Sequence, residues 1–370
     1  MIEVKRVETK KELREFVLLP FKLYKGDKNW VPPLISEMAE TLDVKKNPFF
    51  SHAERELFLA KKGGQVVGRV ASIIDYNYND YHQKKVGYFG FFEAFADYEI
   101  AAALFDQVRE DLKKKGMEKM VGPANPGLYD ECGFLLEGFD SPPVLKMSYN
   151  PPYYLEFCER YGMRKEKDFY AYAIRTDQEV PEKLKRVLNY LKEKKNIRVR
   201  RIDLKRLDKE IYLIKEIYND AWSENWDFAP LTDAEFKYLG RKLKPIAVSE
   251  LLPIVEVDGE AAGVSLALPD YNQVLKRLNG RLFPFGFLKF LIYKKRIDAA
   301  RLWALGVKKK FHNLGLDALL YYETFEGAKR LGYKWGEVSQ ILEDNLAIIR
   351  PIEMWGCKLY KKTRIYGIEI

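Results

Sequence analysis

The chain has 370 residues, of which 47% are hydrophobic and 32% charged, and its 63 basic and 54 acidic residues leave a formal net charge of +9. This length predicts about two domains, and the apolar content suits a globular protein with buried cores. No run reaches the ~18 uninterrupted apolar residues of a transmembrane helix, and the charged N-terminus lacks the apolar core of a signal peptide. We therefore expect a soluble, cytoplasmic protein, and the basic excess favours an anionic partner.

Cysteine and histidine are few and widely spaced. The chain has three of each, namely Cys132, Cys158, Cys357, His52, His82 and His312. None of them forms a Cys-x-x-Cys pair or follows the spacing of metal ligands. We expect neither a metal site nor a disulfide framework.

The same order of predicted elements occurs twice along the chain. Gly63-Gly64 and Asp258-Gly259 each separate two apolar runs, which indicates a hairpin with a tight turn. Each hairpin is followed by a strand, a helix, a second strand and a second helix, and strand-like residues close each half. The helices end at glycine, as helices often do. This order favours duplication of one unit.

We predict an α/β fold of the α+β type with mixed sheets. It consists of two tandem domains, residues 1–175 and 197–370, each a twisted mixed β-sheet flanked by helices. A polar, helix-prone connector lies between them at residues 176–196.

A strand–loop–helix junction in the second half is suited to binding a diphosphate. A helix start has unpaired N–H groups and a positive dipole end, and Gly315 lets the backbone approach closely. The alternative is an ordinary helix start beside solvated lysines. The residues predicted to bind the phosphates are Val307, Lys308, Lys309, Lys310, His312, Asn313, Leu314, Gly315 and Leu316.

This junction resembles the signature loop of the GNAT superfamily of acyl-CoA N-acyltransferases. Residues 312–318, His-Asn-Leu-Gly-Leu-Asp-Ala, are similar to its Arg/Gln-x-x-Gly-x-Gly/Ala loop, and Asn345 precedes Gly356 by eleven residues, as in the family's downstream motif. The resemblance covers about residues 197–370, and the element order extends it to the first half. It implies two GNAT-like domains, acetyl-CoA or another acyl-CoA as cosubstrate, and Asn345 as a further cofactor-binding residue.

The chain also departs from the family pattern. His312 stands at the usual Arg or Gln, Asp317 at the second Gly or Ala, and Ile352 at the tyrosine that often acts as general acid, so the acid is unassigned. Tyr360 and Tyr366 are possible replacements or packing residues. The first half enters its helix directly at Asp97, a typical N-cap, so we predict that it lacks a CoA pyrophosphate loop.

Three side chains are candidates for catalysis. Glu337 and Ser339 alternate with Val338 on a predicted strand, so both face one side. A buried Glu and Ser need partners or a function. Glu337 is a candidate general base for an amine, and the alternative is a hydrogen-bond network. Glu93, on an aromatic strand of the first half, is a second candidate base or a structural residue.

We predict an acyl-CoA-dependent N-acyltransferase that transfers an acetyl group to a small-molecule amine. Two alternatives stay open: a tandem transferase that uses aminoacyl-tRNA or a long-chain acyl donor, and a non-catalytic CoA-binding scaffold. Nucleic acid is a partner only if the donor is aminoacyl-tRNA.

Residues 281–295 form an apolar, aromatic stretch with a basic end. Its composition is typical of three kinds of segment. It is interpreted as a core-packing helix, a lid over a hydrophobic substrate, or a helix at a membrane interface.

Overall fold

A computed structural model describes residues 1–226 and 228–370. The chain forms two compact units. Unit 1 comprises residues 1–168, 274–292 and 361–370, and unit 2 comprises residues 169–273 and 293–360. The predicted α/β class with mixed sheets is confirmed. The predicted limits of the two sequence domains stay a prediction.

The first part of the chain carries nine strands and five helices among the described elements. The strands are β1 (Ile2–Arg6), β2 (Ala53–Lys62), β3 (Gln65–Asp75), β4 (Val86–Ala94), β5 (Lys119–Gly122), β6 (Ala124–Asn125), β7 (Glu131–Cys132), β8 (Phe134–Glu137) and β9 (Arg164–Arg175). The helices are α1 (Lys10–Leu23), α2 (Ile35–Thr41), α3 (Tyr76–His82), α4 (Tyr98–Lys114) and α5 (Tyr153–Arg160).

The second part carries six strands and seven helices within the same described residues. The strands are β10 (Ile197–Arg201), β11 (Pro253–Val257), β12 (Glu260–Pro269), β13 (Ala299–Val307), β14 (Trp335–Leu342) and β15 (Lys358–Glu369). The helices are α6 (Glu182–Glu193), α7 (Leu207–Ala221), α8 (Asp233–Leu243), α9 (Asn272–Leu278), α10 (Gly286–Tyr293), α11 (Leu316–Arg330) and α12 (Leu346–Met354).

The two units share one sheet pattern. In unit 1, β1 to β4 are antiparallel in sequence order, and β4 then pairs in parallel with β5 across helix α4. In unit 2, β10 to β13 are antiparallel, and β13 pairs in parallel with β14 across helix α11. Both predicted hairpins are confirmed, with positive φ at Gly63, Gly64, Asp258 and Gly259. The repeated pattern supports the predicted duplication.

The last strand of each sheet does not come from the half of the sequence next to it. Strand β9 follows α5, yet its residues 169–175 belong to unit 2 and pair antiparallel with β14. Strand β15 follows α12, yet its residues 361–369 belong to unit 1 and pair antiparallel with β5. Each half of the sequence therefore supplies the closing strand of the other unit's sheet.

Each sheet is covered by a helix with a buried apolar stripe. Helix α4 is capped by the Asp97 side chain and buries one face, formed by Ile100, Leu104, Phe105, Val108 and Leu112. Helix α11 buries Leu316, Leu319 and Leu320 against β11 and β12. These stripes have the period of one helix face.

Helix α10 differs, because none of its residues is buried. The core-packing interpretation of residues 281–295 is therefore wrong. None of the described helices combines the length and the apolarity that crossing a bilayer requires.

A bidentate ion pair holds the C-terminal strand in unit 1. Arg364 Nε and Nη2 donate to the two carboxylate oxygens of Asp168 at 2.8 and 3.0 Å. Burial acts to raise the pKa of Asp168, but hydrogen bonds from Arg364 and Lys165 outweigh it, so that pKa lies below its ordinary value. The pair therefore stabilises the folded state whenever Asp168 is ionised.

We expect Arg364→Met to lower the free energy of unfolding by about 2 kcal/mol at pH 7, because it removes two charge-assisted hydrogen bonds and leaves Lys165 as the remaining cationic partner of a buried carboxylate. Urea denaturation measures this loss. The contribution is full above the unfolded pKa of 3.8 and disappears as pH falls through the lower folded value. Arg175→Met is the control, because its pair with Asp177 is exposed and should contribute little to stability. Equal losses in the two variants would contradict the assignment.

Candidate functional site

The start of α11 presents a run of backbone N–H groups. Gly315 caps the helix with a left-handed φ of 78°, and Asn313 has a φ of 64°. Across residues 1–226 and 228–370, no hydrogen-bond acceptor meets the N–H groups of residues 313–318. His312, Asn313 and Leu314 are exposed. Successive free N–H groups at the positive end of a helix can bind an anion.

The basic side chains beside this loop already have partners. The ion pairs are Lys308 with Glu216 and Glu260, Lys309 with Glu224, and Lys310 with Glu260. His312 Nε2 donates to the carbonyl oxygen of Val307 at 3.0 Å. The backbone, rather than these side chains, is therefore the principal donor surface for an anion. Phosphate contacts by the side chains stay a prediction.

The corresponding helix start in unit 1 is satisfied by the protein. Asp97 Oδ1 accepts from the N–H of Glu99 at 3.1 Å, and Asp97 O accepts from the N–H of Ile100 at 3.1 Å. The N–H of Phe95 donates to Val67 O at 3.1 Å. This closed turn supports the prediction that unit 1 has no pyrophosphate loop.

Strands β13 and β14 separate partway along their length. They pair only from Ala299 with Trp335 to Leu302 with Val338, although β13 continues to residue 307 and β14 to residue 342. A β-bulge at Trp303 interrupts the pairing of β13 with β12 at the same level. Bulges are frequent beside active sites, where they leave an extra residue outside the ladder.

An apolar cavity of about 60 Å³ lies in unit 2, lined by β13, β14, α11 and α12. This volume exceeds the ~10–15 Å³ that one water molecule needs. Its lining includes Ala267, Leu302, Phe325, Ile352, Cys357 and Glu337. Burial raises the pKa of the Cys357 thiol to about 12, so this thiol is protonated at neutral pH and is not a ready nucleophile.

Glu337 belongs to the lining of this cavity and to a buried polar cluster. Its side chain lies 3.7 Å from Arg301 Nε and accepts from the hydroxyls of Ser339 and Tyr360. Arg301 Nε also donates to Ser339 Oγ at 3.0 Å. Burial, followed by the charge of Glu337, raises the pKa of Tyr360 far above the usual range of a phenol. The structure thus brings together Glu337, Ser339 and Tyr360.

A second carboxylate cluster lies in unit 1 around Glu93, whose side chain is partly buried. Its Oε2 accepts from Tyr24 OH at 2.9 Å and from Tyr154 OH at 2.8 Å, and its Oε1 lies 3.6 Å from Arg69 Nη2. Burial raises the pKa of Glu93, while Arg69 and the two hydroxyls oppose that rise. A carboxyl group with a raised pKa is suited to exchanging protons near neutral pH.

The remaining predicted residues have local structural roles. Asn345 caps α12, and its Oδ1 accepts from the N–H of Ile348 at 3.3 Å. Val307 and Leu316 are buried in the core beneath the loop. Tyr366 lies in unit 1, where its hydroxyl donates to Glu159 at 3.2 Å. Tyr366 is therefore separate from the Glu337 cluster.

Sequence reasoning missed the two arginines that pair with these carboxylates. Arg69 and Arg301 each interrupt an apolar strand and are only 3% and 2% exposed. An arginine inside an apolar run is the signal that would have indicated a buried ion pair, because such a charge needs a partner. The described residues include no group of three or more potential ligands that could hold a metal ion.

Two repeated units, each with four antiparallel strands followed by a parallel pair across a helix, match a tandem GNAT fold. A solved tandem GNAT protein from the clavulanic acid biosynthesis pathway matches 100% of this chain and 98% of its own length, with a TM-score of 0.61 at 13% identity. At that identity the match shows the fold alone.

Two curated proteins are similar over almost their full lengths. The bacterial ceramide synthase of Caulobacter vibrioides is 37% identical over 371 residues, covering 97% of this chain and 95% of that protein. Protein YghO of Escherichia coli is 35% identical over 368 residues, covering 98% of this chain and 94% of that protein. The chain belongs to the family of these two proteins and has a tandem GNAT fold. Models of known protein families give no match.

We expect Glu93 to titrate above its ordinary pKa of 4.5, and Tyr154→Phe to raise that value further by removing a donor to the carboxylate. Carbon-13 NMR of the glutamate carboxyl groups measures both values. Because the folded state binds this proton more tightly, the contribution of Glu93 to stability falls as pH rises from 4.5 through the folded pKa.

Tyr153→Phe is the matched control, since its hydroxyl donates to Ala94 O at 2.9 Å rather than to Glu93. This variant should change the titration of Glu93 less than Tyr154→Phe does. A Glu93 signal that titrates at or below 4.5 in the unmodified protein would contradict the expectation.

Proposed function

We propose that the chain is an acyl-CoA-dependent N-acyltransferase whose acceptor is a long-chain amine. The observation that carries the proposal is the run of free N–H groups at residues 313–318. In the same unit, β13 and β14 separate beside an apolar cavity. These features suit the three parts of an acyl-CoA: its diphosphate, its amide-containing arm and its acyl group.

The backbone supplies most of the proposed binding surface. N–H groups at the start of α11 donate to the diphosphate, and the helix dipole favours its negative charge. Beyond Leu302 and Val338, the facing edges of β13 and β14 are not paired with each other. An extended, amide-containing ligand can add to such edges through main-chain hydrogen bonds. In the proposed complex, an acyl-CoA bound between these strands places its acyl group towards the cavity.

We base the proposed acceptor on the product that the name of one relative specifies. A ceramide is an amide of a long-chain amino alcohol, and the protein from Caulobacter vibrioides is called a ceramide synthase. Amide formation requires the neutral amine nitrogen to attack the thioester carbonyl. The carbon–nitrogen bond forms, the carbon–sulfur bond breaks, the amine loses a proton, and the thiolate gains one.

Glu337 is the proposed acceptor of the amine proton, directly or through water, because it is the acidic residue in the lining of the cavity. Tyr360 holds its proton tightly, so we assign it to positioning Glu337 rather than to protonating the thiolate. The bulge at Trp303 offers a backbone N–H outside the regular ladder for the thioester oxygen. The general acid has no assigned residue, since Ile352 is a buried apolar side chain of the cavity wall.

Acetyl transfer is a second candidate, favoured by the size of the cavity. A volume of about 60 Å³ suits a short acyl group better than a long one. A long chain would have to extend beyond the cavity or displace its lining. Comparing acyl-CoA donors of different chain length therefore distinguishes the two candidate functions.

The test is an assay of free thiol and amide product with a long-chain amino alcohol as acceptor. Acetyl-CoA and a long-chain acyl-CoA serve as donors in separate reactions. We expect turnover with one of them and little with short polar amines. If neither donor releases thiol with any amine, while CoA binds, the scaffold interpretation replaces the enzyme.

We expect Leu314→Asp to raise the Kd for CoA at least tenfold in isothermal titration calorimetry. Leu314 is 46% exposed at the proposed diphosphate site, so the new carboxylate repels the ligand without disturbing a core. Phe95→Asp places the same charge at the closed turn of unit 1 and should leave the Kd unchanged. Equal affinities in the two variants would count against this loop as the diphosphate site.

We expect Glu337→Gln to lower kcat/KM by about 10²- to 10⁴-fold, the range of general-base catalysis, with little change in CoA affinity. Steady-state kinetics across pH, paired with calorimetry, separates these effects. Tyr360→Phe should shift the pH profile, because it removes a donor to the same carboxylate. A Glu337→Gln enzyme with full activity would exclude Glu337 as the base.

A further inference from the structure

The stretch around α10 has an unusual charge distribution. Between Asp270 and Asp298 the sequence contains no acidic residue and seven basic ones, at positions 276, 277, 281, 289, 294, 295 and 296. In the part of the chain that the structure describes, neither Arg281 nor Lys289 has an ion-pair partner. This contrasts with the paired lysines beside α11. The stretch therefore presents net positive charge to its surroundings.

Large apolar side chains are exposed in the same place. We call residues 281–292 of unit 1 the α10 segment. Its exposed apolar residues are Phe283 (73% exposed), Phe285 (74%), Phe287 (44%), Leu288 (59%), Leu291 (37%) and Ile292 (56%). The rings of Phe283 and Phe287 stack at a centroid distance of 6.3 Å. Contiguous exposed apolar surface of this kind marks an interaction site.

The chain leading into the α10 segment is firmly held in unit 1. Val274 and Leu278 are buried, and Gly280 O accepts from the N–H of Ile35 at 3.0 Å. The N–H of Arg281 donates to Leu278 O at 3.1 Å. The residues that precede the exposed rings are thus buried and hydrogen-bonded in unit 1, so the exposure of the rings is a property of the fold.

We propose that the α10 segment docks the protein on an anionic lipid bilayer. Aromatic and aliphatic side chains enter the boundary between headgroups and acyl chains, and the basic residues contact lipid phosphates. Lysine and arginine can keep their charged ends in the headgroup layer while their stems lie against apolar groups. The positive charge of the α10 segment complements an anionic lipid surface, whereas an uncharged apolar partner would leave that charge uncompensated. The docking does not depend on the acyl transfer proposed above.

Vesicle co-sedimentation tests the proposal with the full chain. We expect binding to vesicles that contain phosphatidylglycerol and phosphatidylcholine, weaker binding to phosphatidylcholine alone, and a loss of binding as salt increases. Equal binding to both vesicle types, or binding to neither, would overturn the proposal.

Two double variants separate the apolar and the electrostatic contributions. Phe283→Ser with Phe285→Ser should lower the partition coefficient at least tenfold on anionic vesicles. Arg281→Gln with Lys289→Gln should lower it about 25-fold, since each basic residue near an anionic surface contributes about fivefold. The second variant should leave binding to phosphatidylcholine unchanged.

The controls place the same chemical changes elsewhere on the surface. Val44→Ser with Tyr212→Ser removes apolar side chains that are 51% and 50% exposed. Lys10→Gln with Lys11→Gln removes two exposed charges from α1. Both controls should bind vesicles like the unmodified protein, and all variants should keep its CoA affinity in calorimetry. Control variants that lose binding equally would show unspecific adhesion and refute the assignment.

Two other roles for the α10 segment give different results. If it binds a second copy of the chain, sedimentation velocity shows a dimer that the double Phe variant dissociates. If it is a lid over the substrate, that variant loses activity on a dispersed amine while no protein binds vesicles. Either result would overturn membrane docking without bearing on CoA binding.

Discussion

The proposed chemistry depends on where β13 and β14 stop pairing. Main-chain N–H and C=O groups need partners when they are removed from water. In this chain the parallel ladder ends at Leu302 with Val338, although both strands continue. At the same level a bulge at Trp303 loosens the ladder on the other side of β13. Backbone groups of these two strands are thereby not paired with each other, and we propose that they bind the amide-containing arm of an acyl-CoA.

The free N–H groups at the start of α11 extend this principle to the phosphate end of the ligand. Residues 313–318 have no acceptor among the described residues, whereas the start of α4 is closed by Asp97 and Val67. Duplicated units have thus diverged at one turn. A single side chain that caps a helix removes the anion site, because it uses the same donors that a phosphate would need.

Both units also contain a carboxylate held by an arginine and by tyrosine hydroxyls. Glu93 and Glu337 differ in their surroundings, since only Glu337 lines the cavity described in unit 2. Burying such a group is costly unless a charge and hydrogen bonds compensate. Arg69 and Arg301 supply that compensation. Of the two carboxylates, we propose only Glu337 as a proton acceptor, because it belongs to the lining of the cavity.

The sequence by itself determined the α/β class, the duplicated order of elements, both hairpins and the helix start at Gly315, because turns, helix caps and apolar periodicity act over a few neighbouring residues. It also indicated that Glu337 and Ser339 share one strand face. Only the tertiary structure decided that β9 and β15 close the sheets of the opposite halves. The tertiary structure also decided which side chains pair. It pairs Lys308, Lys309 and Lys310 with glutamates, and it places Arg301 and Tyr360 beside Glu337. It also leaves α10 exposed. Strand pairing and ion pairing join residues that are far apart in the chain, so the local sequence pattern does not indicate which residues will pair.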